Sequence, residues 1–189
     1  MTASDFIARA LSAAADSAER ILYSAAAFDA LVADDLVLVG GGAQVTYTGV
    51  GRLTDVDLVG VVTEADTRRL QSAGFLRHGR HWVCEGEQGA LAIEVPGDAL
   101  MPEETYQKIE IEGGAVRVIS VTDLMMDRLL QATDGTEVTR AEAEQLAVAA
   151  GTGVDWEAIA GRADRVASSA RFLAELPSLV AEFRALADN

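Results

Sequence analysis

Two aspartates one residue apart, Asp55 and Asp57, alternate with the aliphatic residues Val56 and Leu58. On a strand, side chains at i and i+2 project from the same face, so the two carboxylates point the same way and can share divalent cations. The aliphatic side packs inward and the acidic side faces an open cleft. A third acid, Glu94, stands between Ile93 and Val95 in the same apolar–acid–apolar context. Three oxygen donors on neighbouring strands suit Mg²⁺, which keeps several waters and binds substrate phosphates. A pair of such ions activates an attacking hydroxyl and neutralises a departing pyrophosphate. Upstream, the run Leu36-Val37-Leu38-Val39 ends at Gly40-Gly41-Gly42. A glycine turn between a strand and a short helix over 43–47 lets bare backbone amides and a helix start approach a triphosphate. Each piece also has a plainer reading: solvated strand edges for the acids, a tight turn for the glycines.

The elements that must position these residues are legible in part. Ser4 and Asp5 open a helical stretch, one long helix or two short ones, reaching to about Ala33. Residues 36–39 and 56–62 read as strands. Thr63-Glu64-Ala65-Asp66 has the form of a capping box and starts a helix ending at Gly74. Phe75 to Leu76, His81 to Cys84 and Ala90 to Val95 read as short strands closed by Pro96-Gly97. Gly113-Gly114 marks a hairpin between 108–112 and 115–120. From Thr122 onward the pattern is helical over 123–132, 140–150, 155–165 and 168–186, with Pro177 kinking or breaking the last. The expected class is α+β: a mixed sheet flanked by helices over residues 1–120, then a C-terminal helical region over 121–189 packed on that core.

Composition narrows the partners. The 189 residues carry 30 Asp and Glu against 15 Lys and Arg, a formal net charge of −15. Such a surface repels nucleic-acid phosphates and anionic lipid over most of its area, so an anion must enter a locally positive site. Only Lys108 among the basic residues is lysine. Acidic, lysine-poor surfaces suit a salt-rich, halophile-like cytoplasm, and a GC-rich genome offers a second explanation. The single cysteine, Cys84, excludes an intramolecular disulfide and a multi-cysteine zinc site. The first ten residues lack a basic start and an apolar run. The uncharged stretch 36–51 is too short and too polar to span a bilayer. A cytoplasmic protein without a membrane partner is expected.

The order strand, Gly40-Gly41, short helix, Asp55-Val56-Asp57, then Glu94 on a later strand resembles the nucleotidyltransferase superfamily built on the polymerase β palm. It is most similar to small prokaryotic members related to abortive-infection toxin nucleotidyltransferases. Further pieces in that style are Ala73-Gly74-Phe75, Gly79-Arg80-His81-Trp82, Ile93-Glu94-Val95-Pro96 and Ser120-Val121-Thr122-Asp123 leading to Asp127-Arg128-Leu129. The resemblance spans roughly residues 36 to 160. It implies transfer of a nucleoside monophosphate from an NTP to an RNA end, such as that of tRNA, or to a protein acceptor, with Mg²⁺ or Mn²⁺ as cofactor. Asp55 and Asp57 would hold the metals, and Glu94 would ligate the second and help activate the acceptor. Gly40, Gly41, Arg52 and Arg128 would contact the nucleotide. A toxin–antitoxin setting with a cognate regulator protein is implied as well. The alternative is a catalytically inactive nucleotidyltransferase-fold module acting through a protein partner. Two positions depart from the family pattern: Gly41 stands where many relatives have serine, and Thr54 abuts Asp55 directly. Arg80 and Trp82 offer flat faces for a base, against a core role for the tryptophan. His78 and His81, three apart in a hairpin, lack the cysteine neighbours of a zinc site.

Overall fold

A computed structural model of the chain describes residues 1–51, 55–87, 89–170 and 173–188. The chain divides into two compact units, Met1–Ile119 and Ser120–Asn189.

The first unit opens with α1 (Ala3–Ser12) and α2 (Ala18–Asp29). The expected N-terminal helical stretch is therefore two helices. Thr2 and Asp5 close a reciprocal capping box on α1, and the Ser17 hydroxyl accepts from the Arg20 amide at the start of α2, satisfying amides that have no partner within the helix. The chain then runs through β1 (Val37–Leu38), α3 (Gly40–Thr48), β2 (Val56–Val59) and α4 (Glu64–Ser72). The Thr63–Asp66 capping box expected from sequence is present on α4. Strands β3 (Phe75–His78), β4 (His81–Cys84), β5 (Leu91–Gly97), β6 (Tyr106–Ile111) and β7 (Gly114–Ile119) follow.

Among the described residues, the seven strands form one mixed sheet in the order β3-β4-β5-β2-β1-β7-β6. Pairings β1–β7 and β2–β5 are parallel, and β1–β2, β3–β4, β4–β5 and β6–β7 are antiparallel. This is the α+β class expected from the sequence. One face is apolar: Val56, Leu58, Trp82, Cys84, Leu91 and Ile93 are buried, as are Ile21 and Phe28 of α2. Phe28 meets Phe75 edge-on at 5.5 Å and Trp82 at 6.1 Å between ring centroids, a geometry that favours aromatic packing. Trp82, 2% exposed, is thus a core side chain and presents no face to a base.

Several boundaries differ from expectation: β2 stops at Val59 instead of reaching residue 62, and β3 runs on from Leu76 to His78. Strand β5 continues through Pro96 to Gly97, whose carbonyl accepts from the Gly60 amide at 2.9 Å. Pro96 lies past the β4 pairing, which ends at Glu94, so its missing N–H costs that ladder nothing. The β6–β7 turn is Glu112-Gly113, because Gly114 already pairs with Ile111. Gly113 alone supplies the positive φ, +87°.

The second unit is helical: α5 (Val121–Ala132), α6 (Glu137–Ala150), α7 (Trp156–Ser169) and α8 (Leu176–Ala187). Leu124, Met125, Met126, Leu129, Leu146, Ile159 and Phe183 are buried. Pro177 sits in the first turn of α8, where its missing N–H is harmless; the stretch expected over 168–186 is interrupted and a new helix starts at Leu176, so the proline opens a helix and does not kink one. Among the described residues no helix is long and apolar enough to cross a membrane.

Candidate functional site

The polar face of the sheet, opposite the Trp82 and Ile93 side, brings the acidic residues together. Strand β5 runs between β2 and β4, and Glu94 at its centre has two register partners: Asp57 on β2 and His81 on β4. Directly paired residues project to the same face, so Asp57, Glu94 and His81 form a row across three strands. Asp55, two residues before Asp57, shares its parity. Burial follows the same alternation, with Val56 and Leu58 buried and Asp55, Asp57 and Val59 half-exposed. The register shifts in the β2–β5 ladder just after this row, between Asp57 and Val59; irregularities of this kind often mark the edge of a site.

Distances give the row its chemistry. His81 Nε2 lies 2.9 Å from Asp55 Oδ2 and 3.7 Å from Glu94 Oε2. Arg80 Nε lies 3.1 Å from Glu94 Oε2. One donor atom from each of Asp55, His81 and Glu94 lies within 4.8 Å of the others. A cation with metal–ligand bonds of about 2.0–2.2 Å separates adjacent donors by about 3–3.6 Å; the two His81 contacts lie close to that spacing, so these three side chains could hold a divalent ion.

The glycine turn abuts the same row. Helix α3 begins at Gly40 itself, with Val39 as N-cap and no side-chain cap, so Gly40 and Gly41 form its first turn and the helix is longer than the expected 43–47. The Val39 amide donates to the Asp57 carbonyl at 3.0 Å. Gly40 takes φ +60°, and a Cβ there would stand 2.6 Å from Asp57 Oδ2. The N-terminal end of a nine-residue helix therefore lies beside the Asp57 carboxylate, with first-turn amides that no helical carbonyl can satisfy. Lower on the same helix, the Tyr47 hydroxyl donates to the Ile119 carbonyl at 2.7 Å and accepts from Gln107 Nε2 at 2.8 Å. Burial pushes its phenol up to about 12, with the Gln107 contact opposing.

Arg52 lies outside the described residues, as does Thr54. Arg128 is in the second unit on α5; Nη1 donates to Gln131 Oε1 at 2.7 Å and lies 3.7 Å from Asp127 and 3.8 Å from Glu142. Asp123, in the same helix, caps it through Ser120 and pairs with Arg162. Beside the acidic row, a cleft of about 180 Å³ is lined by Arg20, Ser24, Asp55, Val56 and Leu91 among others. Arg20 there donates to the carbonyls of Ala13 and Ala90 at 3.3 and 3.1 Å, tying α2 to the strand start.

His81 is the residue that sequence reasoning undervalued. It enters the sequence reading as part of Gly79-Arg80-His81-Trp82 and, with His78, as a weak zinc pair, without a role in the acidic site. The useful signal was alternation: in His81-Trp82-Val83-Cys84, the buried Trp82 and Cys84 assign His81 to the opposite face, the face of Glu94.

No protein-family model matches the sequence, and none of the curated proteins matches it. Among solved structures, the chain is similar to an antigenic nucleotidyltransferase-like protein from Paracoccidioides brasiliensis, with 18% identity over 60% of this chain and 67% of that one and a TM-score of 0.48. It is also similar to the antibiotic-resistance factor ANT(2'')-Ia in solution, with 16% identity over 96% and 91% of the two chains and a TM-score of 0.41. A crystal structure of ANT(2'')-Ia in complex with adenylyl-2''-tobramycin gives 16% identity over 96% and 97% and a TM-score of 0.40.

Proposed function

We propose that this chain is a metal-dependent nucleotidyltransferase that moves a nucleoside monophosphate from an NTP to an RNA end or a protein side chain. The observation that carries the reading is the position of Asp57. Its carboxylate is flanked by Glu94 in direct register on one side and by the start of α3 on the other. A carboxylate pair suited to cations thus stands next to backbone amides suited to phosphate oxygens.

Asp55, Asp57 and Glu94 would hold Mg²⁺ or Mn²⁺, with the triphosphate lying along the first turn of α3 at Gly40 and Gly41. When bound, the cation neutralises triphosphate charge and stabilises the departing pyrophosphate. In the transfer, an acceptor hydroxyl oxygen forms a bond to the α-phosphorus and the bond from that phosphorus to the α,β-bridging oxygen breaks. Pyrophosphate leaves with the bonding electrons, and the acceptor's proton passes to the Glu94 carboxylate. Phosphoryl chemistry of this kind asks a protein mainly for positioning and charge stabilisation. A sheet row backed by Val56, Leu58 and Ile93 would provide the positioning, and the cation it would hold the charge stabilisation.

The net charge of −15 favours a short RNA end or a protein hydroxyl over a long nucleic-acid footprint. A small regulator protein, as in toxin–antitoxin pairs, is proposed as a partner on the strength of the sequence resemblance. The test is incubation of the purified chain with each α-³²P NTP, Mg²⁺ or Mn²⁺, and tRNA or protein acceptors. Label is expected on one acceptor class. No labelled acceptor with any NTP across low and high salt would overturn the proposal.

A further inference from the structure

We propose that His81 completes the acidic row as a nitrogen ligand, so that Asp55, His81 and Glu94 form a centre preferring a first-row transition-metal cation, Mn²⁺ or a later member of the series, to Mg²⁺. The inference rests on the same reading of this face as a metal site that supports nucleotidyl transfer, and its test involves no nucleotide.

The three donors come from three separate segments. Asp55 stands just before β2, His81 opens β4 and Glu94 lies mid-β5. One atom from each converges within 4.8 Å; His81 and Glu94 are brought together by backbone pairing, as register partners on adjacent antiparallel strands, and Asp55 reaches them from just before the strand on the other side of β5. The imidazole is not a long, freely rotating arm that happens to approach an acid. Its ring nitrogen lies 2.9 Å from one carboxylate and 3.7 Å from the other, close to the spacing of about 3–3.6 Å between adjacent donors on one cation. The side chain is 31% exposed, which leaves an approach for the ion and its waters.

Imidazole changes the choice of ion. Mg²⁺ is hard, demands oxygen and keeps its water, whereas Mn²⁺, Co²⁺ and Zn²⁺ accept imidazole readily. A site of carboxylates alone discriminates weakly among them. Adding one nitrogen raises affinity along the transition series and does little for Mg²⁺. An ordinary His81–Asp55 ion pair would use the same 2.9 Å contact, and that reading makes the opposite prediction for metal binding.

The test is titration of the whole chain with Mn²⁺, followed by the loss of the free-ion EPR signal, with Co²⁺ absorption as a second probe and Mg²⁺ by competition. His81→Gln is expected to weaken Mn²⁺ binding by about tenfold or more, the scale of loss seen even for residues that only orient a ligand. It should leave Mg²⁺ within about a factor of three, and it should change the Co²⁺ spectrum. His78→Gln, the neighbour paired with His81 across the turn, should bind as the wild type does. His81→Asn serves as a second variant, and far-UV circular dichroism checks that each folds. Wild-type affinity for Mn²⁺ in both His81 variants would overturn the proposal, as would equal wild-type affinity for Mn²⁺ and Mg²⁺. Such a result beside intact label transfer removes the nitrogen ligand alone. Histidine-dependent Mn²⁺ binding without transfer from any NTP removes the transferase reading alone.

Discussion

Gly40 and Asp57 are in such close approach that a Cβ on residue 40 would stand 2.6 Å from Asp57 Oδ2. Gly40 also takes φ +60°, which costs a residue with a Cβ about 1–2 kcal/mol. Gly40→Ala therefore carries a double penalty, backbone strain and displacement of the carboxylate. The expected outcome is a stability loss of at least about 1–2 kcal/mol by urea denaturation, together with weaker divalent-cation binding. Wild-type stability and binding in Gly40→Ala would show that the close contact is not maintained in solution.

Arg80 lies 3.1 Å from Glu94 Oε2 while its side chain is 71% exposed. It supplies positive charge where a cation would bind, and it occupies a carboxylate oxygen. Arg80→Gln should tighten divalent-cation binding. A unit charge at about 4 Å in water is worth about 1 kcal/mol, or roughly fivefold. Because the group is exposed, the gain should shrink toward none as ionic strength rises to about 1 M, where the screening length is about 3 Å. Cation titrations at low and high salt measure this directly.

Tyr47 titrates late. Burial pushes its phenol up to about 12, above the ordinary value of about 10. A group with a raised folded pKa contributes stability that is fully present below the unfolded value and is lost as pH rises through the folded one. Absorbance titration in alkali should show a phenolate component near pH 12 that Tyr47→Phe removes. That substitution should also cost about 1 kcal/mol at neutral pH, since it removes the hydrogen bond to Ile119.

Asp66 works in the other direction. It is fully buried, and burial acts to raise its pKa, yet the Thr63 hydroxyl and amide, the Ala33 amide and Arg69 together hold it below the usual carboxylate value. Stability from a lowered carboxyl is present above the unfolded pKa of about 3.9 and is lost as pH falls through the folded value. Asp66→Asn should be less stable than wild type at pH 7, and the gap should narrow as the solution is acidified below about pH 4. Thermal melts across that range check the sign.

Much of this site was readable because strand alternation is a local code. Asp55-Val56-Asp57-Leu58 and Ile93-Glu94-Val95 state which side chains share a face without any knowledge of the partner strand. Alternation does not say which strands are neighbours. That β5 lies between β2 and β4, placing Glu94 opposite both Asp57 and His81, is a matter of sheet order and register, which pairs residues far apart in the chain and is not written in any local pattern. The Thr63–Asp66 cap was legible for the same local reason. The extension of β5 through Pro96 was not, because proline reads as a strand breaker unless the missing ladder partner is known. Pro177 misled similarly: its cost depends on whether it falls in the first turn of a helix or the middle, and that depends on where α8 starts.

The most direct test of the central claim compares wild type with Asp57→Asn for transfer of label from α-³²P NTP to acceptor in the presence of Mg²⁺ or Mn²⁺, with circular dichroism confirming equal folding. The account predicts that wild type labels the acceptor, that γ-³²P NTP gives no label, and that Asp57→Asn lowers the rate by at least about 10²-fold, the scale expected when a group that stabilises transition-state charge is removed. Equal labelling by wild type and a folded Asp57→Asn would contradict it.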